Sequence, residues 1–253
     1  MFKKFFSVVL VFVIFCSFIP NSLAVTDKQM SYIEEFSKSL NVPSECFLFD
    51  VESNSREDCL PRTTECALVP IQNIKDHKKC MKAIFGNQGD KQYIKYYHDG
   101  SLSKNNAVEK EVEREALEMK RNNPKSLTFV ITYGDESVGK LYVLSIRSGG
   151  GRAPRLGYLI KKEYSGRGIT KASAKCALNI MQRMVDNKDK RYSFTKLKAT
   201  VAPANKASNA ILSGLGFKKS AKTVRNRYGK RNEYTYMFKL KCRNKNKSKK
   251  IIA

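Results

Sequence analysis

Residues 157–170 read GYLIKKEYSGRGIT, and the order of residue types in that stretch predicts a strand, a loop and a helix in succession. The apolar run Leu156–Ile160 suits a strand. Two lysines and a Glu-Tyr pair follow, then the glycine-spaced turn Ser165-Gly166-Arg167-Gly168. Beyond it Ala172, Ala174, Ala177, Leu178 and Met181 recur at helical spacing. Such a junction makes a good anion cradle. Glycine permits backbone angles and close approaches that a side chain blocks. The first N–H groups of a helix have no internal partner, and the helix dipole favours a phosphate there. Taken alone, such a stretch is more often plain turn chemistry.

A second stretch, residues 205–217, reads NKASNAILSGLGF. Ala207, Ala210, Ile211 and Leu215 fall at helical spacing, Asn205 suits an N-cap, and Gly216 suits a C-terminal stop. Together the two stretches resemble the signature segments of the GNAT N-acetyltransferases. The likeness is to the RimJ/RimL-like branch, which acetylates ribosomal-protein N-termini and has relatives acting on other amines. Gly157-Tyr158-Leu159-Ile160, Gly168, Asn205, Ser208 and Gly216-Phe217 follow the branch's pattern in order. Thr64–Ile71, reading TECALVPI, is similar to its opening strand, but without that strand's two arginines.

The resemblance implies a GNAT fold, an α+β three-layer arrangement with a mixed central sheet of about six to seven strands flanked by helices. It also implies an enzyme that transfers the acetyl group of acetyl-coenzyme A to a primary amine. Gly157, Tyr158, Leu159 and Ile160 would bind the pantetheine arm through backbone groups, one N–H facing the thioester oxygen. Ser165, Gly166, Arg167, Gly168, Ile169 and Thr170 would wrap the pyrophosphate, with Lys161 and Lys171 adding charge. Asn205 would hydrogen-bond the pantetheine arm, and Ser208 is the candidate acid for the leaving thiolate. The chain departs from the pattern at Ser165, where Gln or Arg is usual, at Thr170, where Ala or Gly is expected, and at Arg155, where relatives often carry a candidate base, Glu. Glu163 and Glu233 are the conceivable replacements. A non-catalytic basic binding protein on the same scaffold is the alternative that these departures keep open.

The 253 residues carry a formal charge of +25, far more than one coenzyme requires. Clusters at Lys75, Lys78, Lys79 and Lys82, at Arg225, Arg227, Lys230 and Arg231, and at Lys245, Lys247, Lys249 and Lys250 predict salt-sensitive contact with nucleic acid, ribosome or an anionic surface. The oligomeric state is not legible.

At the N-terminus Lys3 and Lys4 precede an apolar run, Phe5–Ile19, then Pro20 and a small-x-small pattern, Ser22-Leu23-Ala24. That predicts a secretory signal peptide over residues 1–24, the alternative being an N-terminal membrane anchor. An N-terminal extension over 25–63, an acetyltransferase domain over 64–242 and a basic, disordered tail over 243–253 complete the expected division. Cys46, Cys59, Cys66, Cys80, Cys176 and Cys242 remain after the signal. An even number in an exported chain points to disulfides, chiefly among the first four, with pairing unreadable from spacing. With no C-x-x-C pair and only two histidines, no metal site is expected.

Between the extension and residue 157 the pattern predicts helices over about 73–85 and 107–121, which in the family line the acceptor side. A meander of strands follows over Leu127–Tyr133, Val138–Arg147 and Arg155–Lys161. Strands are also expected over Phe194–Val201, Phe217–Thr223 and Tyr234–Lys241.

Overall fold

A computed structural model describes residues 25–51, 65–71, 80, 84, 113, 117, 120, 125–146, 153–187, 192, 194–225 and 232–240. The expected signal peptide, basic tail and most of the two helices before residue 125 lie outside these residues.

The described chain opens with helix α1 (Asp27–Leu40), fixed at its start by a capping box. Gln29 N–H donates to Thr26 Oγ1 at 3.3 Å, and the Thr26 N–H donates to Gln29 Oε1 at 2.8 Å. Ile33, Phe36 and Leu40 recur at three and four residues and are buried. A single turn at Ser44–Phe47 leads to the short strand β1 (Leu48–Asp50). There follow β2 (Glu65–Pro70), β3 (Leu127–Tyr133), β4 (Glu136–Leu144) and β5 (Arg155–Ile160). After β5 come α2 (Ile169–Asp186), β6 (Lys196–Val201), α3 (Lys206–Gly214), β7 (Lys218–Arg225) and β8 (Asn232–Lys239).

The strands form one mixed sheet in the order β1-β2-β3-β4-β5-β6-β8-β7. Every neighbouring pair is antiparallel except β5 and β6. Among the described residues the sheet has eight strands rather than the expected six to seven, because β1 adds to the edge of β2 through Leu48↔Ala67, Phe49↔Cys66 and Asp50↔Glu65. Three residues carry no strand signal of their own; an edge offering unpaired backbone groups makes this one.

The segment read as an extension therefore joins the core. Phe36 of α1, Phe47 of the turn and Phe129 of β3 meet edge to face, with centroids 6.0 to 6.3 Å apart. Helix α2 packs over that turn and over β1, β2 and β5.

Burial differs across the sheet. Residues 127–132 of β3 are all buried, so both faces of that strand are covered. Along β6 burial alternates: Leu197, Ala199 and Val201 are buried, whereas Lys196 is exposed and Lys198 and Thr200 are half-buried. The buried face of β6 and β8 meets α3, where the Tyr236 hydroxyl donates to Asn209 Oδ1 at 2.8 Å.

The expected disulfides are not the arrangement here, since Cys46, Cys66, Cys80 and Cys176 are free thiols. The Cys176 thiol donates to the Cys46 carbonyl oxygen at 3.0 Å, and Cys66 is fully buried within β2. Cys59 and Cys242 lie outside the described residues. Among those residues no group of side chains has a metal-ligand arrangement, and no helix is long and apolar enough to cross a membrane.

Candidate acetyl-transfer site

The sheet opens between its two parallel strands. Strands β5 and β6 are in register at Arg155↔Lys198, where the Lys198 N–H donates to the Pro154 carbonyl at 2.8 Å, and this is their one register pair among the described residues. Past that point β5 continues to pair with β4 alone, from Tyr142↔Gly157 to Gly139↔Ile160, and the Lys161 N–H donates to the Val138 carbonyl. Among the described residues the β6-facing edge of 157–160 thus has no strand against it. Backbone amides on such an edge can pair with an extended ligand as a further strand would.

Gly157 fits this place for a reason the sequence does not display. A Cβ there would lie 2.2 Å from Cζ of Tyr142, so the glycine lets that ring lie across β5. The Tyr158 hydroxyl reaches the start of α3 and donates to the Ser208 carbonyl at 3.5 Å, a long bond. Burial first of all pushes this phenol well above its ordinary range, so it stays protonated. Leu159 and Ile160 are buried.

After β5 a single turn, Lys162–Tyr164, leads into the loop Ser165–Gly168. Gly166 and Gly168 have φ of 80° and 82°, the left-handed region that other residues avoid. A Cβ on Gly166 would meet nothing within 4 Å, so that glycine serves the turn rather than a close contact. Arg167 is exposed, its guanidinium 5.1 Å from the ring centroid of Tyr164. Ile169 is buried at the head of α2, and the Thr170 carbonyl accepts from the Ser173 hydroxyl at 3.0 Å.

Helix starts differ along the chain. Thr26 caps α1, and Asn205 caps α3 by accepting from the Ser208 N–H at 3.1 Å. At α2 the N-cap is Gly168, with no side-chain cap and no acid in the first turn. Its leading N–H groups face the glycine loop at the open end of β5, an arrangement matched to a phosphate.

One sequence expectation changes. Lys161 is not a spare charge for a phosphate: its Nζ lies 2.7 Å from Glu136 Oε1, and its side chain is 13% exposed. The same carboxylate accepts from the Tyr164 hydroxyl, so Glu136 ties both ends of the 161–164 turn to the start of β4. Glu136 therefore belongs to the loop's support although the sequence reading passed over it; its signal was only a charge in a tight turn. Lys171, in the first turn of α2, has its Cε 3.7 Å from where a Cβ of Gly214, the last residue of α3, would stand.

Asn205 has its side-chain oxygen engaged in the cap, and Asn209 ties the same turn together. Asn209 Nδ2 donates to the carbonyls of Asn205 at 2.7 Å and Ala202 at 3.1 Å. Ser208 sits half-buried in the first turn of α3, near the Tyr158 hydroxyl. Glu163 is exposed beside the loop, and Glu233 pairs with Val224 in the β7–β8 hairpin. Neither is on β5.

Residues 74–218 match the family described as Acetyltransferase (GNAT) domain. No curated protein sequence matches the chain significantly. Among solved structures, RimL, the ribosomal L7/L12 α-N-protein acetyltransferase in complex with coenzyme A, is similar with a TM-score of 0.53 at 15% identity, over 71% of this chain and 95% of that one. The GNAT domain of S. lividans PAT is similar with a TM-score of 0.54 at 16% identity, over 78% and 99%. The microcin C7 self-immunity acetyltransferase MccE, in complex with acetyl-CoA and AMP, gives 0.51 at 18% identity, over 69% and 92%. At these identities the likeness is one of fold. The match over residues 74–218 covers more than half of the sequence, and the chain belongs to the GNAT acetyltransferase domain family.

Proposed function

We propose that this protein transfers the acetyl group of acetyl-coenzyme A to a primary amine on a protein N-terminus, a lysine or a small polyamine-like molecule. The observation that carries the reading is the opening of the sheet past Arg155↔Lys198, closed at one end by the uncapped start of α2.

The chemistry divides among few groups. The free edge of residues 157–160 orients the acyl donor as an added strand, and one of its N–H groups faces the carbonyl oxygen as charge develops there. The loop 165–168 and the head of α2 take the pyrophosphate. The amine nitrogen attacks the thioester carbonyl, the C–N bond forms, and the C–S bond breaks as the tetrahedral species collapses. The nitrogen loses one proton and the thiolate gains one. Arg155 cannot accept the first at neutral pH, so water relays it from the amine. The second comes from a hydroxyl at the start of α3, where Ser208 and Tyr158 meet. Of the two, the phenol is carried on β5, the strand that borders the opening, and its burial keeps it in the donor form.

The leader reading of residues 1–24 supports an exported enzyme, one that would meet acetyl-coenzyme A in another cell's cytosol. N-terminal sequencing of the secreted product tests that part: a start at Val25 supports it, and an intact Met1 opposes it.

Thermal unfolding with and without acetyl-coenzyme A tests the main reading. A ligand at a hundred times its Kd adds about 2.7 kcal/mol to the folded state, which for a chain of this size raises Tm by roughly 5–10 °C. Gly168→Glu places a carboxylate and a strained φ at the head of α2 and removes the shift. No shift at millimolar coenzyme leaves a basic binding protein on this scaffold.

A further inference from the structure

The face of the sheet that α3 does not cover carries a row of positive charge. Register places Arg155 of β5 beside Lys198 of β6, Lys198 beside Met237 of β8, and Met237 beside Lys218 of β7. One step along the same face, Lys196 stands directly opposite Lys239. At a strand spacing of about 4.8 Å, the row from Arg155 to Lys218 crosses roughly 14 Å of sheet.

Three features separate this row from general surface basicity. Among the described residues none of the five cations is in an ion pair, whereas Lys161, a few residues along β5, has Glu136. Like charges placed directly opposite one another weaken a sheet, so Lys196 against Lys239 is a cost to the fold, with no ion-pair partner for either among the described residues. The hydroxyl of Thr235, opposite Thr200 on this same face, is buried and has no hydrogen-bond partner. A fold that carries such cations side by side on one face of its sheet is suited to a ligand that supplies several anions.

The row also starts at the Arg155↔Lys198 pair, where β5 and β6 part. Whatever it holds is therefore held beside the opening. We infer that the row binds the acceptor itself, an acidic polypeptide whose carboxylates lie close to the amine to be acetylated. This rests on the acetyl-transfer reading of the opening. The reaction requires an aliphatic primary amine and the row requires several negative charges. A polypeptide carries both, whereas a nucleic acid carries the charges without the amine.

The test uses the full chain, acetyl-coenzyme A and three peptides of equal length with a free N-terminal alanine. One is glutamate-rich, one glutamine-rich and one lysine-rich. The glutamate-rich peptide is expected to have a kcat/KM about tenfold above the glutamine-rich one, through KM, with the gap narrowing as salt rises. The double variant Lys198→Gln/Lys218→Gln abolishes the gap, and Lys28→Gln, at an exposed position of α1, leaves it. Equal use of the three peptides, or a gap that survives the double variant, overturns the inference. So does tight binding of oligouridylate to the row without any preference for the acidic peptide. The coenzyme-induced Tm shift, recorded on the same samples, separates the two levels. A shift without the peptide preference sinks the acceptor alone, and no shift sinks the acetyl-transfer reading with it.

Discussion

Lys161 Nζ lies 2.7 Å from Oε1 of Glu136, twenty-five residues earlier in the chain, while the other oxygen of that carboxylate accepts the Tyr164 hydroxyl. The two bonds fasten the turn after β5 to the turn before β4, and the glycine loop hangs from the fastened end. The Glu136 carboxyl is held below its ordinary range, first by the hydrogen bond from Lys161 and then by that from Tyr164. The Tyr164 phenol is pushed up to about 12, chiefly by its bond to Glu136.

The pH window follows from those directions. Glu136 has a depressed folded pKa, so its contribution is present above the unfolded value and is lost as pH falls through the folded one. Tyr164 has a raised folded pKa, so its contribution is present below the unfolded value and is lost as pH rises toward about 12. The coenzyme-induced Tm shift is therefore expected to stay level across neutral pH and to decline in acid. Tyr164→Phe keeps the ring against Arg167 but removes one bond, and KM for acetyl-coenzyme A should rise about fivefold with kcat retained, as for loss of one hydrogen bond of about 1 kcal/mol. A fall in kcat at unchanged KM would show that the turn does not position the coenzyme loop.

Gly157 and Tyr142 are coupled by space rather than by any bond. A methyl group on Gly157 would collide with the far end of the Tyr142 ring, at 2.2 Å from Cζ and 2.3 Å from the hydroxyl oxygen. Gly157→Ala should thus displace the ring and cost about 1–3 kcal/mol, the usual range for overpacking. Tyr142→Leu removes the obstruction, so a double variant should recover part of the loss in denaturant unfolding. Strict additivity of the two single changes would mean that the ring does not constrain residue 157.

Much of this was legible in the sequence because apolar runs and glycine punctuation mark it. Strand β3 has the predicted bounds Leu127–Tyr133, and α2 contains Ala172, Ala174, Ala177, Leu178 and Met181, the residues whose spacing predicts a helix. What escaped was long-range. No local pattern reveals that Leu48–Asp50 becomes a strand, that β8 lies between β6 and β7, or that Glu136 answers Lys161. Side-chain roles at the opening escaped for a related reason. Tyr158 was read for its backbone, and only the approach of α3 to β5 gives its hydroxyl a place.

That hydroxyl separates two assignments of the acid. If Tyr158 supplies the proton to the leaving thiolate, Tyr158→Phe should lower kcat by about a hundredfold, the low end for general acid catalysis, with KM for acetyl-coenzyme A little changed. Ser208→Ala should then cost far less, since the Ser208 carbonyl and N–H, rather than its side chain, make the contacts at this turn. The reverse order of effects would return the role to Ser208. Steady-state kinetics with thiol detection reads both.

The cysteines give a last expectation, independent of catalysis. Burial first, and then the nearby Asp50 charge, pushes the Cys66 thiol up to about 12 from 9.0. Burial likewise raises Cys176, whose proton is also occupied on the Cys46 carbonyl. Alkylation follows the thiolate, so a three-unit rise lowers the reactive fraction at mildly alkaline pH about a thousandfold. Cys46 and Cys80 are only half-buried, so mass spectrometry of the native protein treated briefly with iodoacetamide should find them labelled well before Cys66 and Cys176. Denaturant should equalise the four. Early labelling of Cys176 in the native state would mean that α2 separates readily from the Ser44–Phe47 turn, and that the N-terminal segment is a loosely held layer rather than part of the core.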